Sequence, residues 1–226
     1  MFASAAPVQG QQRPSAAVLL DQFQTSTYFW QQFEVAKAIA ASKDTSVLPQ
    51  LEPLLTHADR HLRGNAAFIL AGLGDRRGFD VIVAMLADRS ESRAVHQISS
   101  VGLPWVQGQI REDRYYAAHL LGDLKDARAI PILVPLLKDP DVNYIVPWSL
   151  AQIGDRSAIR PLIGTLSVSD PSMRVLAIHA LEDLNATEAL PELRALLADN
   201  ERCNFDKLES VAHAAQSAIA KLSPEK

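Results

Sequence analysis

Six histidines, one cysteine and a glycine-rich stretch are the parts of this 226-residue chain whose side chains could carry chemistry. Two histidines four residues apart on a helix, with a glutamate after the first, would hold zinc and activate water. No His-Glu-x-x-His sequence occurs, and His57, His61, His96, His119, His179 and His213 are followed by Ala58, Leu62, Gln97, Leu120, Ala180 and Ala214. A Gly-x-Ser-x-Gly elbow that would expose a nucleophilic serine is also absent. Cys203 stands alone, which removes an intrachain disulfide and a cysteine-based zinc site and reads as a packing residue. Gly72-Leu73-Gly74-Asp75-Arg76-Arg77-Gly78 has the look of a dinucleotide loop, but its third glycine is one place late and no β-rich strand precedes it. No catalytic residue, metal ligand or cofactor is therefore expected.

The elements that carry these residues recur. Ala67-Phe68-Ile69-Leu70-Ala71-Gly72-Leu73-Gly74-Asp75 is echoed from Ala118 to Asp126, from Pro147 to Asp155 and from Ile178 to Ala186, with a fainter copy from Phe33 to Asp44. Asp44 to Asp75 is 31 residues, Asp126 to Asp155 is 29 and Asp155 to Ala186 is 31, whereas Asp75 to Asp126 is 51. About 20 residues are thus inserted in one step, near 90–113, in an array whose period is that of a stacked helical hairpin. In the third copy Tyr116, Ala117, Leu120, Leu121 and Leu124 form one helical stripe. Asp126 is placed to cap the next helix, and Pro131 falls in its first turn, where a missing N–H costs little. Pro147 lies inside a first helix and is expected to kink it. The predicted fold is all-α, a right-handed superhelical solenoid of about five hairpins plus a C-terminal capping helix within 206–222. Residues 1–25 are predicted to be a flexible tail and 26–226 the repeat domain.

Bulk properties narrow the partners. With 48% apolar residues and a net charge of −4, the chain can bury a large core and lacks a basic stripe to replace counterions around phosphates. No apolar run is long enough to span a bilayer. The small residues Ala3 to Pro7 match the end of an export signal, so an exported bacterial protein is expected, a cytoplasmic one being the alternative.

The phrases Arg-x-x-Ala-Ala-x-x-Leu-[Gly/Ala]-x-[Leu/Ile]-[Gly/Lys]-Asp and Ala-Ile-Pro-x-Leu-x-x-Leu-Leu-x-Asp resemble the HEAT-repeat superfamily, specifically the short HEAT-like repeats of the phycobilisome lyase (PBS lyase) type. The likeness runs from about Phe33 to Leu222 and is specific for architecture. It implies that Arg63, Arg114, Arg174 and the turn aspartates form an inter-repeat ladder. A di-iron hydroxylase branch would need His-Glu pairs, which are missing; a nucleic-acid-binding branch would need a basic face. His119 and His179 share a column with Lys37, Phe68 and Trp148, which reads as packing.

In such solenoids the second helices line the concave face, and here their outward columns are apolar in the middle of the array. Val81, Val83, Ile132, Val134 and Ile163, with Trp105 and Tyr115 from the insertion and its end, are the expected partner-binding residues. Either the insertion, with Val101-Gly102-Leu103-Pro104-Trp105-Val106, folds over these columns, or they form an open groove for a protein or peptide partner or a second copy of the chain. The leading expectation is a non-catalytic protein-interaction scaffold. The alternative implied by the family is a bilin (tetrapyrrole) lyase or chaperone-like factor, for which Arg111 and Arg114 are the candidate anchors for propionates.

Overall fold

The computed structural model describes residues 14–90, 106–205 and 209–223. Among them there are only helices and turns, apart from an isolated bridge between Arg202 and Ser210. The helices are α1 (Ala16–Thr25), α2 (Phe29–Ser42), α3 (Leu48–Leu51), α4 (Arg60–Gly72), α5 (Arg76–Ala87), α6 (Val106–Asp123), α7 (Ile130–Leu133), α8 (Val146–Ile153), α9 (Ile159–Thr165), α10 (Pro171–Asp183), α11 (Leu190–Ala195) and α12 (Val211–Leu222). First helices α2, α4, α6, α8, α10 and α12 pack on one another in chain order, and the second elements sit between successive first helices. Hairpins stack as a solenoid requires, hiding one another's apolar faces.

The turn chemistry explains the repeat. Asp44, Asp75, Asp126 and Asp155 each accept a backbone N–H two residues on, from Ser46, Arg77, Arg128 and Ser157, at 2.8 to 3.0 Å. The residue before each takes a left-handed conformation, at Lys43, Gly74, Lys125 and Gly154. Asn185 keeps that conformation in the last copy, where Ala186 provides no cap. The would-be dinucleotide loop is this same interhelical turn, and Gly78 is needed there because a Cβ would lie 2.1 Å from the Ala67 carbonyl oxygen.

Several expectations need correction. The tail predicted for 1–25 gives way to helix α1 from Ala16, because Ala16, Leu19, Leu20 and Phe23 are spaced to bury one stripe against α2 and Ser15 caps the start. Second helices are shorter than predicted: in the third copy a 3-10 turn precedes α7 and another, Val134–Lys138, follows it at Pro135, whose nitrogen cannot donate. Pro147 does not kink a helix; it sits in the first turn of α8, so the preceding residues form turns instead. The insertion divides: Val106 onward belongs to α6, while 91–105, with Trp105 and most of the Val101–Val106 stretch, lies outside the described residues.

The arginines form a ladder, but on aspartates that follow the second elements rather than on the turn aspartates, which cap their own helices, and it begins at Arg60 rather than Arg63. Arg114 contacts Asp139 at 2.7 Å and Asp141 at 3.3 Å, and Arg174 contacts Asp199 at 3.0 Å. In the second copy it is Arg60, buried, that reaches Asp88 at 2.8 Å and Asp113 at 2.7 Å, whereas Arg63 donates to the His57 carbonyl.

Candidate functional site

An aromatic cleft opens at the starts of the first helices. Phe29 and Trp30 come from the first turn of α2, His61 from that of α4, and Arg111, Glu112, Tyr115 and Tyr116 from α6. Pro140, Asp141, Val142 and Tyr144 complete it from the turns before α8. Those turns exist because Pro147 delays the start of α8, so the departure from the repeat builds one wall. The volume is about 370 Å³, within the range of small-molecule sites.

Ring contacts shape the interior. Tyr116 meets Phe29 edge-on at 5.5 Å and Trp30 edge-on at 5.4 Å, and Phe29 lies 4.4 Å from the His61 ring. Behind this wall His119 stacks on Trp148 at 4.5 Å and meets Trp30 at 5.4 Å, so His119 is a packing residue, whereas His179 of the same column is part-exposed and lies 3.3 Å from Glu209. Burial lowers the pKa of His119 and favours its neutral ring. Burial likewise raises the phenols of Tyr115 and Tyr116, and the bond to Asp170, donated by Tyr144 at 2.7 Å, raises that of Tyr144. The three tyrosines are therefore neutral hydrogen-bonding groups at pH 7.

Charge is concentrated at the lip. Arg111 and Glu112 are exposed and line the cleft. Asp141 is engaged by Arg89 at 2.9 Å and by Arg114. Arg114 itself is buried, donating to the Leu86 carbonyl at 2.8 Å and to Asp139, so it belongs to the ladder and cannot also serve as a free anchor. Among the described residues neither serine nor cysteine lines the cleft, and no cluster of three potential metal ligands occurs. Such a site can hold a flat, conjugated molecule between aromatic edges and hold a carboxylate at Arg111.

Of the expected partner-binding residues, Tyr115 lines the cleft. Val81, Val83, Ile132, Val134 and Ile163 lie elsewhere, on the second elements, half-buried against the core. Trp105 is outside the described residues. Trp30, Tyr116 and Tyr144 escaped sequence reasoning as a group because they fall in different repeats and at different places in them: the first turn of α2, the middle of α6 and the turns before α8. Trp30 and Tyr144 are 48% and 42% exposed, which leaves ring surface open to the cleft.

Residues 139–204 match the HEAT repeats family, and residues 62–88 and 113–139 match the PBS lyase HEAT-like repeat. Among curated proteins the chain is similar to bilin biosynthesis protein PecE of Nostoc sp., 32% identical over 146 residues, which is 63% of this chain and 53% of that protein. It is also similar to phycocyanobilin lyase subunit alpha of Picosynechococcus sp., 38% identical over 96 residues, 38% of this chain and 36% of that protein. PecE of Mastigocladus laminosus is 36% identical over 87 residues, 37% of this chain and 32% of that protein. The chain thus spans about half the length of the first relative and about a third of the other two. These relatives overturn the expectation of a non-catalytic scaffold, since their names are those of bilin biosynthesis and lyase proteins. The chain belongs to the HEAT-repeat superfamily, and its repeats are of the short PBS lyase HEAT-like type.

Proposed function

We propose that this protein handles an open-chain tetrapyrrole as a bilin lyase or a subunit of one. The observation that carries the reading is the aromatic cleft with Arg111 at its lip, in a chain whose relatives are named for bilin biosynthesis and a phycocyanobilin lyase. A bilin is a flat conjugated system with propionate side chains. Tyr115, Trp30 and Phe29 supply apolar ring surface for the pyrroles, and Arg111 supplies a charge-assisted partner for a propionate. Glu112, on the same rim, can accept pyrrole N–H bonds and stabilise a protonated chromophore.

The cleft contributes by holding the chromophore in one conformation while its reacting end stays accessible. A lyase eliminates a group to leave a double bond or, in the reverse direction, adds a group and its proton across one, and fixing the orientation of that bond removes much of the entropic barrier. The relative named as a lyase subunit supports a protein partner, and the open mouth of the cleft leaves room for one.

The test is incubation with phycocyanobilin and observation of its visible absorption. A saturable change at one bilin per chain is expected; a spectrum unchanged at excess protein would overturn the reading.

A further inference from the structure

Beneath the cleft lies a chain of buried amides that the repeat does not require. The carbonyl oxygens of Phe23 and Phe29 can only accept hydrogen bonds, which fixes the orientation of both side-chain amides. Gln32 donates through Nε2 to the Phe23 carbonyl at 3.1 Å, so its Oε1 faces Asn65. Asn65 donates through Nδ2 to that oxygen at 2.9 Å and to the Phe29 carbonyl at 3.2 Å. Its remaining acceptor, Oδ1, takes the hydrogen bond of the Tyr116 phenol. Asn65 is wholly buried, and Gln32 and Tyr116 are nearly so.

The relay joins α1, α2, α4 and α6 at the point where the aromatic wall is built. Tyr28, the residue before the first turn of α2, makes no side-chain capping bond, and Phe29 and Trp30 sit immediately after it. Asn65 gives that turn a tether of a different kind, a side-chain bond to the Phe29 carbonyl, and the same side chain holds the Tyr116 ring against which Phe29 and Trp30 both pack.

We propose that Asn65 is a positioning residue for the cleft, fixing the first turn of α2 and the Tyr116 ring in one arrangement so that the wall is preformed before a ligand arrives. This deepens the bilin reading and rests on it only for the identity of the ligand. A half-satisfied buried network is worse than none, so the relay is high in stakes and local in effect.

The experiment uses the full chain, with hydrogen exchange measured without ligand and phycocyanobilin titrated separately. Asn65→Asp keeps the acceptor for Tyr116 but loses the amide donor to the Phe29 carbonyl and to Gln32, and is expected to speed exchange at 29–33 by roughly tenfold and to weaken bilin binding by a similar factor. Exchange in α10 should stay at the wild-type rate. Tyr116→Phe keeps the ring and the donors of Asn65 but leaves Oδ1 without its donor, and should speed exchange at 29–33 less than Asn65→Asp does. Gln32→Leu, the second variant should Asn65→Asp not fold, is expected to speed exchange in the same segment by a smaller factor. Wild-type exchange at 29–33 in the folded Asn65→Asp or Gln32→Leu protein, or an equal rise throughout α10, would overturn the proposal. If the exchange pattern holds and wild-type protein binds no bilin, the functional reading falls while the positioning role stands.

Discussion

Arg60 and Asp113 meet at 2.7 Å although 53 residues separate them in the chain, and both side chains are almost completely buried. Arg60 also bonds to Asp88 and to the carbonyl and hydroxyl of Ser90. One guanidinium therefore gathers the end of α5 and the part of α6 that bears the cleft residues Arg111 and Glu112.

Removing Asp113 takes from the buried guanidinium the more deeply buried of its two counter-ions and leaves only Asp88. Asp113→Ala is expected to cost about 3–5 kcal/mol, and the paired change Arg60→Met with Asp113→Leu to recover most of it. Urea unfolding of the three variants beside wild type checks this. A loss under about 1 kcal/mol for Asp113→Ala would show that the pair is not the clamp described.

The turn aspartates set the acid limit. Hydrogen bonds from Arg77 and Arg128 hold the carboxyls of Asp75 and Asp126 below their ordinary value, and Arg114 does the same for Asp139. A folded-state pKa below the unfolded one gives stability that is present above the unfolded value and lost as pH falls through the folded one. Melting temperature should thus be level from about pH 7 to 5 and fall below about pH 4. Asp126→Asn should keep the cap but reduce the acid sensitivity, and Asp126→Ala should cost about 1 kcal/mol at pH 7.

Val83 and Val134 are half-buried and pack against the core. Replacing both by Asp is expected to lower stability by about 2–5 kcal/mol, since each carboxylate would be set against apolar neighbours. Thermal unfolding reads it out. Unchanged melting would mean that these columns are free surface.

Much of the fold was legible in the residues. The turn aspartates, the left-handed Gly, Lys or Asn before them and the first-helix stripes recur because each hairpin solves the same capping and packing problem. What escaped was whatever broke the period. The α1 stripe of Ala16, Leu19, Leu20 and Phe23 lacks the repeat phrase and was absorbed into a tail. The family resemblance implies Arg63 for the ladder, but it is Arg60, one turn earlier on α4, that reaches Asp88 and Asp113. The cleft escaped because its walls come from three first helices and from the turns that Pro147 creates. Side chains remote in sequence converge there with no shared spacing to announce it.

The central claim is that the cleft at the starts of the first helices holds the bilin, and induced circular dichroism of the bound chromophore tests it most directly. Wild type and Arg194→Glu, altered on an exposed second-helix position of α11, should give the same saturable signal. Arg111→Glu, with unchanged melting, should weaken binding by roughly tenfold or more, and Tyr115→Ala should reduce the amplitude. Equal binding by wild type and Arg111→Glu, with loss in Arg194→Glu instead, would contradict the account.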